Sequence, residues 1–415
     1  MAPISATAPL RQPHFRWFFA SRSVNLVGNF MAPVALAFAV LEVSDAPIAI
    51  GAVLAARTIP MIIFMLIGGV LADRMGRARV LLASNVVSGL SQAAVAVLVI
   101  SGVAELWHLI ALSALNGIVS AAGLPAQQGI IPLVVPRSML QEANVLMSLT
   151  RAVVAVAGPG TAGLLVLSIG AGWALAIDAA TWLIAAVLLL PVKLSGTVTG
   201  KASIIGDLRL GWNYFRTTTW LWLCVGAATM LNALYEGGLL TLGPQRAEGS
   251  SLGAGGWGLI LTFQGIGVLT ATLVLMKVRL ERPLLFGMIG MALFGLPIAA
   301  LGFSTELAVL LPAAALSGAG IQVFSLGWQL SMQENVPSDL LSRASSYDQL
   351  GTYIAIPIGQ LAMGPLAAAY GIKNILAIAG IAYVVISLAT LLSPAVRGLN
   401  RVAFPAPERN DAPAH

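Results

Sequence analysis

Hydrophobic residues fall in twelve long blocks, near 17–41, 48–72, 80–102, 106–128, 140–168, 172–192, 218–242, 255–277, 284–303, 307–332, 345–369 and 374–395, separated by short polar breaks. Each block approaches the roughly 20 apolar residues that a helix needs to cross the hydrocarbon of a bilayer. The pattern predicts an all-α polytopic membrane protein with twelve transmembrane helices. Its longest break, 193–217, divides the blocks six and six. The expected organisation is an N-terminal segment 1–16, a six-helix bundle over 17–192, a central loop 193–217, a second six-helix bundle over 218–395, and a tail 396–415. Within the central loop, Asp207-Leu-Arg-Leu-Gly-Trp-Asn-Tyr-Phe-Arg216 mixes aromatic and cationic residues, as expected of a packing helix in the membrane interface. The start through Arg16 and the Pro- and Ala-rich tail from Arg397 are expected to be mobile. No small-residue cleavage site follows the first block at the right distance, so it reads as a retained span.

Composition strengthens the membrane reading. Hydrophobic residues make up 58% and charged residues 9%, against roughly a quarter charged in soluble domains. The 43 glycines and 22 prolines suit packed and locally broken membrane helices. Cys224, the single cysteine, excludes an intrachain disulfide. The net charge of +6 is scattered singly through short breaks, which argues against a nucleic-acid partner. Those positive residues also set the orientation. With both termini cytoplasmic, seventeen Lys and Arg fall on the inner face and only Arg246 and Lys373 on the outer one. The expected location is the inner (cytoplasmic) membrane.

A weak internal repeat fits two pseudo-symmetric six-helix bundles. Val135-Pro136 through Leu140 and Ala143, ahead of the fifth block, matches Val336-Pro337 through Leu341 and Ala344, ahead of the eleventh. The same shift carries Gly158 to Gly359, Gly163 to Gly364 and Gly170 to Gly371.

Between the second and third blocks the chain reads Gly68-Gly69-Val-Leu71-Ala72-Asp73-Arg74-Met-Gly76-Arg77-Ala-Arg79. A break this short forces antiparallel neighbours, with glycines supplying permissive backbone and close packing. The pattern G-x-L-A-D-R-x-G-R-x-R resembles the loop between the second and third spans of the major facilitator superfamily of secondary transporters. That resemblance implies alternating access between two bundles, with the substrate path at their interface. It implies a gating role for Gly69, Asp73, Arg74, Gly76 and Arg77. We expect Asp73 to stabilise the outward-open state by meeting the N-terminal end of the eleventh helix, near Ser342 and Arg343, where carboxylates are favoured. The corresponding stretch of the second half, Lys277-Val-Arg279-Leu-Glu281-Arg282, keeps only part of the pattern.

In the fifth block, Gly158-Pro159-Gly160-Thr-Ala-Gly163 resembles the G-P-x-x-G-G end of the motif associated with exporters of that superfamily, without its upstream glycines. A proline kink between close-packing glycines accounts for the same residues, so both readings stand. Leu115-Asn116-Gly117 occupies the place where many proton-coupled drug exporters carry an arginine, a departure from their mechanism. Arg343-Ala-Ser-Ser-Tyr-Asp348 resembles actinobacterial-type members.

Six ionisable residues lie inside the blocks: Arg22, Arg57, Arg151, Asp178, Glu236 and Asp348. Each costs about 2.5–3.5 kcal/mol at the bilayer centre, so each is expected to face a partner or water. Arg151 and Asp178 fall at similar depth and read as a structural pair or a ligand site. Glu236, near the outer end of a span that lines the cavity by family resemblance, is the preferred acid for a proton or a substrate cation; solvation near the interface is the alternative. Arg22 and Asp348 fall where a cytoplasmic gate would close, Asp348 held by arginines. Asn25, Asn29, Asn232, Gln264, Gln322 and Gln329 bind a ligand or tie helices together, and Trp328 and Tyr347 are candidates for an aromatic-tolerant pocket.

The histidines, His14, His108 and His415, lie at termini or near a span end, and neither a G-x-x-x-x-G-K-[ST] loop nor a G-x-S-x-G elbow occurs. The chain is therefore expected to be no enzyme, with no cofactor and no metal. The resulting expectation is a monomeric, proton-coupled exporter of a small hydrophobic or weakly charged molecule, such as a drug, antibiotic or siderophore. The rivals are an importer of sugar or another nutrient on the same scaffold, and a non-transporting receptor or channel.

Overall fold

A computed structural model describes residues 8–128, 130–136, 139–192, 212–278, 280–337 and 340–399, with the backbone alone for 66–74, 124, 125, 128, 132, 141, 341–343 and 346. Twelve spanning helices follow one another: α1 (Pro13–Val43), α2 (Ala49–Met75), α3 (Arg77–Ile100), α4 (Leu106–Gln128), α5 (Leu140–Ile169), α6 (Ala171–Leu189), α7 (Thr219–Tyr235), α8 (Gly253–Leu275), α9 (Pro283–Phe294, continuing as Leu296–Phe303), α10 (Leu307–Asn335), α11 (Leu341–Ile354, continuing as Ile356–Tyr370) and α12 (Ile372–Ala389). Apolar side chains cover these rods while each backbone satisfies its own hydrogen bonds, the condition for crossing hydrocarbon. Eleven are long and apolar enough to cross a membrane over their described residues, and α2 contributes a shorter described apolar stretch, Ala49–Met65.

Several ends differ from the hydropathy blocks. The start is not loose up to Arg16: a 3-10 turn covers Ala8–Arg11, α1 begins at Pro13, and Phe15 is fully buried. Proline at the first helical position needs no amide donor there, which sets this beginning. The break between α2 and α3 is shorter than a loop. α2 runs through Met75, and the connection is Gly76 alone, at φ 90°. Gly69, Asp73 and Arg74 therefore belong to the last turns of α2. α7 does not stop near 242 but continues as a π-helical turn, Glu236–Leu242, and then Gly243–Glu248. α9 and α11 each break two residues ahead of a proline, at Gly295 before Pro297 and at Ala355 before Pro357. A proline there lacks the donor and crowds the preceding turn. Residues 207–211 lie outside the described chain, while 212–217 are helical and stack Trp212 and Phe215 on Tyr347.

Six helices on each side form two bundles, and the glycine repeat marks equivalent positions in them. A Cβ at Gly158 of α5 would meet Phe30 of α1, and one at Gly359 of α11 would meet the Ala233 carbonyl of α7. Gly163 of α5 faces α8, 3.1 Å from the Gly258 Cα by the same construction, and Gly364 of α11 faces α2, 3.1 Å from the Ile48 Cα. Gly170 and Gly371 both end their helices in the left-handed region, at φ 90° and 86°. Only glycine holds that angle without steric cost. Each repeated glycine thus performs the same task in its own bundle.

Contacts between bundles use the same device. Gly51 of α2 lies against the Gln360 carbonyl of α11, and Gly258 of α8 against the Pro159 carbonyl of α5. Gln245 donates to the Pro47 carbonyl at 3.2 Å. These crossings lie between mid-depth and the face opposite the chain termini. On the termini side, an apolar cluster that includes Phe15, Phe18, Leu81, Ile130, Val135 and Leu189 belongs to the N-terminal bundle alone.

Candidate functional site: an arginine-lined cavity

Away from those crossings, on the termini side of mid-depth, the N-terminal bundle lines a partly open cavity of about 310 Å³. Arg22 of α1, Arg57 of α2 and Arg151 of α5 line it, with Asn25 and Asn29 one and two turns beyond Arg22. Small residues at Ser84, Ser120 and Gly123 leave the space, and Phe18, Phe30 and Trp182 supply an apolar wall. Charged side chains in a membrane bundle persist where they reach water or a partner, and this cavity meets that requirement. Arg22 donates to the Asn25 Oδ1 at 2.5 Å, and the Asn29 Nδ2 donates to the same oxygen at 2.7 Å. Among the described residues the Asn25 Nδ2, buried with the rest of its side chain, has no hydrogen-bond partner.

The expected Arg151–Asp178 pair does not form. Asp178, fully buried on α6, accepts a 2.6 Å hydrogen bond from Gln92 of α3. Arg57 is the cation in electrostatic reach of it, whereas Arg151 lines the cavity with Arg22, a like charge in its electrostatic reach. Depth along the helices was similar, but helix rotation turns Arg151 to the cavity and Asp178 toward α1 and α3. A Cβ at Gly28 of α1 would collide with Asp178 and Thr181, so α1 and α6 pack backbone to side chain over this acid. Gln92 was missed as its partner because uncharged amides in spans give no sequence signal of what they face.

The C-terminal bundle treats its acids differently. Glu236 opens the π-helical turn of α7, where Thr241 donates to its backbone carbonyl at 2.9 Å and Gln360 of α11 donates to its carboxylate at 3.2 Å. Through the Gln360 carbonyl on Gly51, this acid sits one residue from the crossing between bundles. A π-turn of this kind is frequently found at a functional position. Asp348 accepts from the Trp328 indole at 3.0 Å; of the gate arginines expected to hold it, Arg74 and Arg343 have their side chains outside the described residues. Trp328 packs between Trp220 and Phe324, while Tyr347 faces an apolar groove with Trp212, Trp222 and Ile354. Gln264 links α8 to Tyr235 and Ser317, and Asn232 donates to the Thr352 carbonyl, both tying helices together.

The gating residues divide by location. Gly76 makes the turn, Arg77 opens α3 and Arg343 lies in the first turn of α11. The side chains of Asp73 and Arg74 lie outside the described residues. Gly158, Pro159 and Gly163 all serve packing, the first within its bundle and the other two against α8.

Two bundles joined across glycines, with a polar cavity inside, call for comparison with known transporters. Residues 4–411 match the family of transmembrane secretion effectors of the major facilitator superfamily. The chain belongs to that family. This member of the major facilitator superfamily is 25% identical to the multidrug efflux pump Tap of Mycolicibacterium fortuitum, over 91% of this chain and 95% of the other. It is also 25% identical to the staphyloferrin A transporter of Staphylococcus aureus, over 90% and 94%. Its fold superposes on a mutant form of the nucleoside transporter NupG with a TM-score of 0.75 at 12% identity, over 91% of this chain and 99% of that one. The facilitator is thus a multi-pass membrane transporter and not an enzyme.

Proposed function

We propose that this facilitator exports a small hydrophobic or weakly charged molecule, of the drug, antibiotic or siderophore kind, by alternating access coupled to protons. The observation that carries the reading is the placement of all described glycine crossings between bundles from mid-depth to one face, with the cavity displaced toward the other. Rocking about such a crossing exchanges the open face while leaving each bundle intact. Export is favoured over nutrient import by the G-P-x-x-G-G-like stretch and by the kinship with an efflux pump. The division into two bundles on either side of the central stretch 193–217, the location in the cytoplasmic membrane with both termini inside, and the monomeric state belong to the same proposal.

Glu236 is the coupling acid in this scheme. A carrier acid must bind a proton in one state and release it in the other as dry surroundings give way to water or a partner. Glu236 has an amide for its described partner and lies beside Gln360, whose backbone closes on α2; parting of α11 from α2 would change its surroundings directly.

Purified protein in liposomes, challenged with an efflux panel under an imposed pH gradient, tests transport. Accumulation that collapses with an uncoupler is expected; uncoupler-insensitive accumulation would remove the proton. For orientation, a thiol placed at Ser44 or Ser304 in a Cys224→Ala background should react with an impermeant reagent from outside, and one at Ala78 should not. The reverse pattern would overturn the topology.

A further inference from the structure

The cavity offers positive charge with only neutral acceptors beside it, such as the amides of Asn85 and Gln127 and the hydroxyl of Ser120. Its described lining carries three guanidiniums and no carboxylate. Arginine donates and never accepts, so the atom of Asn25 that Arg22 meets is the oxygen. With Asn29 on that oxygen too, the only capacity left on Asn25 is the unpartnered, buried Nδ2 donor. Arg57 has Asp178 in electrostatic reach, while Arg22 and Arg151 line the same cavity within electrostatic reach of each other, Arg151 on its exposed side. Other acids of this bundle are remote. Glu142 lies about 13 Å from Arg151 along α5, and Asp73 about 24 Å from Arg57 along α2, by helical rise. Two cations lining one cavity repel, and an anion between them relieves that repulsion.

We propose that the cavity binds an oxyanion of the transported molecule, a carboxylate or phosphate group held between Arg22 and Arg151, with Asn25 donating a further hydrogen bond. The guanidinium fork matches the paired oxygens of either group, and Trp182 with Phe30 covers the apolar remainder. This rests on the transporter reading, and it narrows a weakly charged substrate to one bearing negative charge.

The test uses the full-length protein in detergent, with citrate and inorganic pyrophosphate as probes for the two sources of the oxyanion. Ionic strength is held constant with sodium chloride, and tetraphenylphosphonium serves as the cationic control. A saturable rise in melting temperature, accompanied by a change in tryptophan fluorescence, is expected with at least one anion and not with the cation. Arg151→Gln should weaken that binding roughly 10- to 100-fold, the worth of one charge-assisted hydrogen bond, and Arg151→Lys should restore part of it. Protection by neither anion, protection by the cation alone, or equal anion affinity in Arg151→Gln and Arg22→Gln to that of the unmodified protein would overturn the proposal. The wild-type comparison decides even where a variant fails to fold. Anion binding without proton-driven efflux in liposomes would sink the export reading and leave the anion site standing; flux of a neutral drug without anion protection would do the opposite.

Discussion

In the N-terminal bundle the charges inside the spans are mainly cations around a cavity, whereas in the C-terminal bundle they are acids hydrogen-bonded to neighbouring helices. Arg22, Arg57 and Arg151 share about 310 Å³ of open space; Glu236 and Asp348 are held by Gln360 and Trp328. The repeat sharpens the contrast, because the position equivalent to Arg151 is Thr352, whose hydroxyl donates to the Asp348 carbonyl in ordinary helical packing. The glycines behave in the opposite way. Gly158 and Gly359, Gly163 and Gly364, and Gly170 and Gly371 keep both identity and task. Helix crossings are bounded by backbone-to-backbone distance, so both halves need the same small residue. A charge that faces a cavity answers to what enters it, and the halves are free to differ.

The largest expected effect separates the acids from the cations. Glu236→Gln should abolish accumulation driven by a pH gradient while leaving substrate exchange largely intact, since exchange needs no net proton movement. Normal gradient-driven transport by that variant in liposomes would end the assignment of coupling to the C-terminal bundle.

A second contrast concerns the stretches that join α2 to α3 and α8 to α9. Asp73→Asn should lower transport at least about tenfold at matched expression, a loss of roughly 1.4 kcal/mol or more in the gating step, with Asp73→Glu milder. Glu281→Gln, in the degraded counterpart, should change little. Equal losses at both positions would show the gate to be symmetric after all.

Gly51 and Gly258 make equivalent crossings, each against a carbonyl of the opposite bundle. Valine at either site should cost about 1–3 kcal/mol of overpacking in the closed crossing, lowering transport several-fold and by similar amounts. In the Cys224→Ala background, a thiol at Ser44 should then react faster. A strong effect at one position only would break the pseudo-symmetry of the crossings.

The smallest change is expected at Trp328. Phenylalanine keeps the packing with Trp220 and Phe324 but removes the donor to Asp348, costing about 1–3 kcal/mol. A melting temperature lowered by a few degrees, with transport close to normal, would mark Asp348 as structural; loss of transport without loss of stability would return it to the gate.

Much of the frame was legible in the chain. Twelve apolar blocks, a six-and-six division and paired glycines are one-dimensional signals, because crossing a bilayer demands a minimum apolar length and helix crossings demand small residues at set intervals. The motif from Gly69 to Arg79 was legible for the same reason, as residue order along one connection, although its loop proved to be the single residue Gly76. What each buried charge faces was another matter. Arg151 and Asp178 lie at matching depth and oppositely charged, yet the rotation of α5 and α6 sends one to a cavity and the other to Gln92. The π-turn at Glu236, the Trp328 partner of Asp348 and the idle donor of Asn25 likewise carry no periodic mark. Depth and length follow from counting residues along a helix; azimuth, and with it the partner of every polar side chain, is decided only when twelve helices settle their mutual rotations by packing.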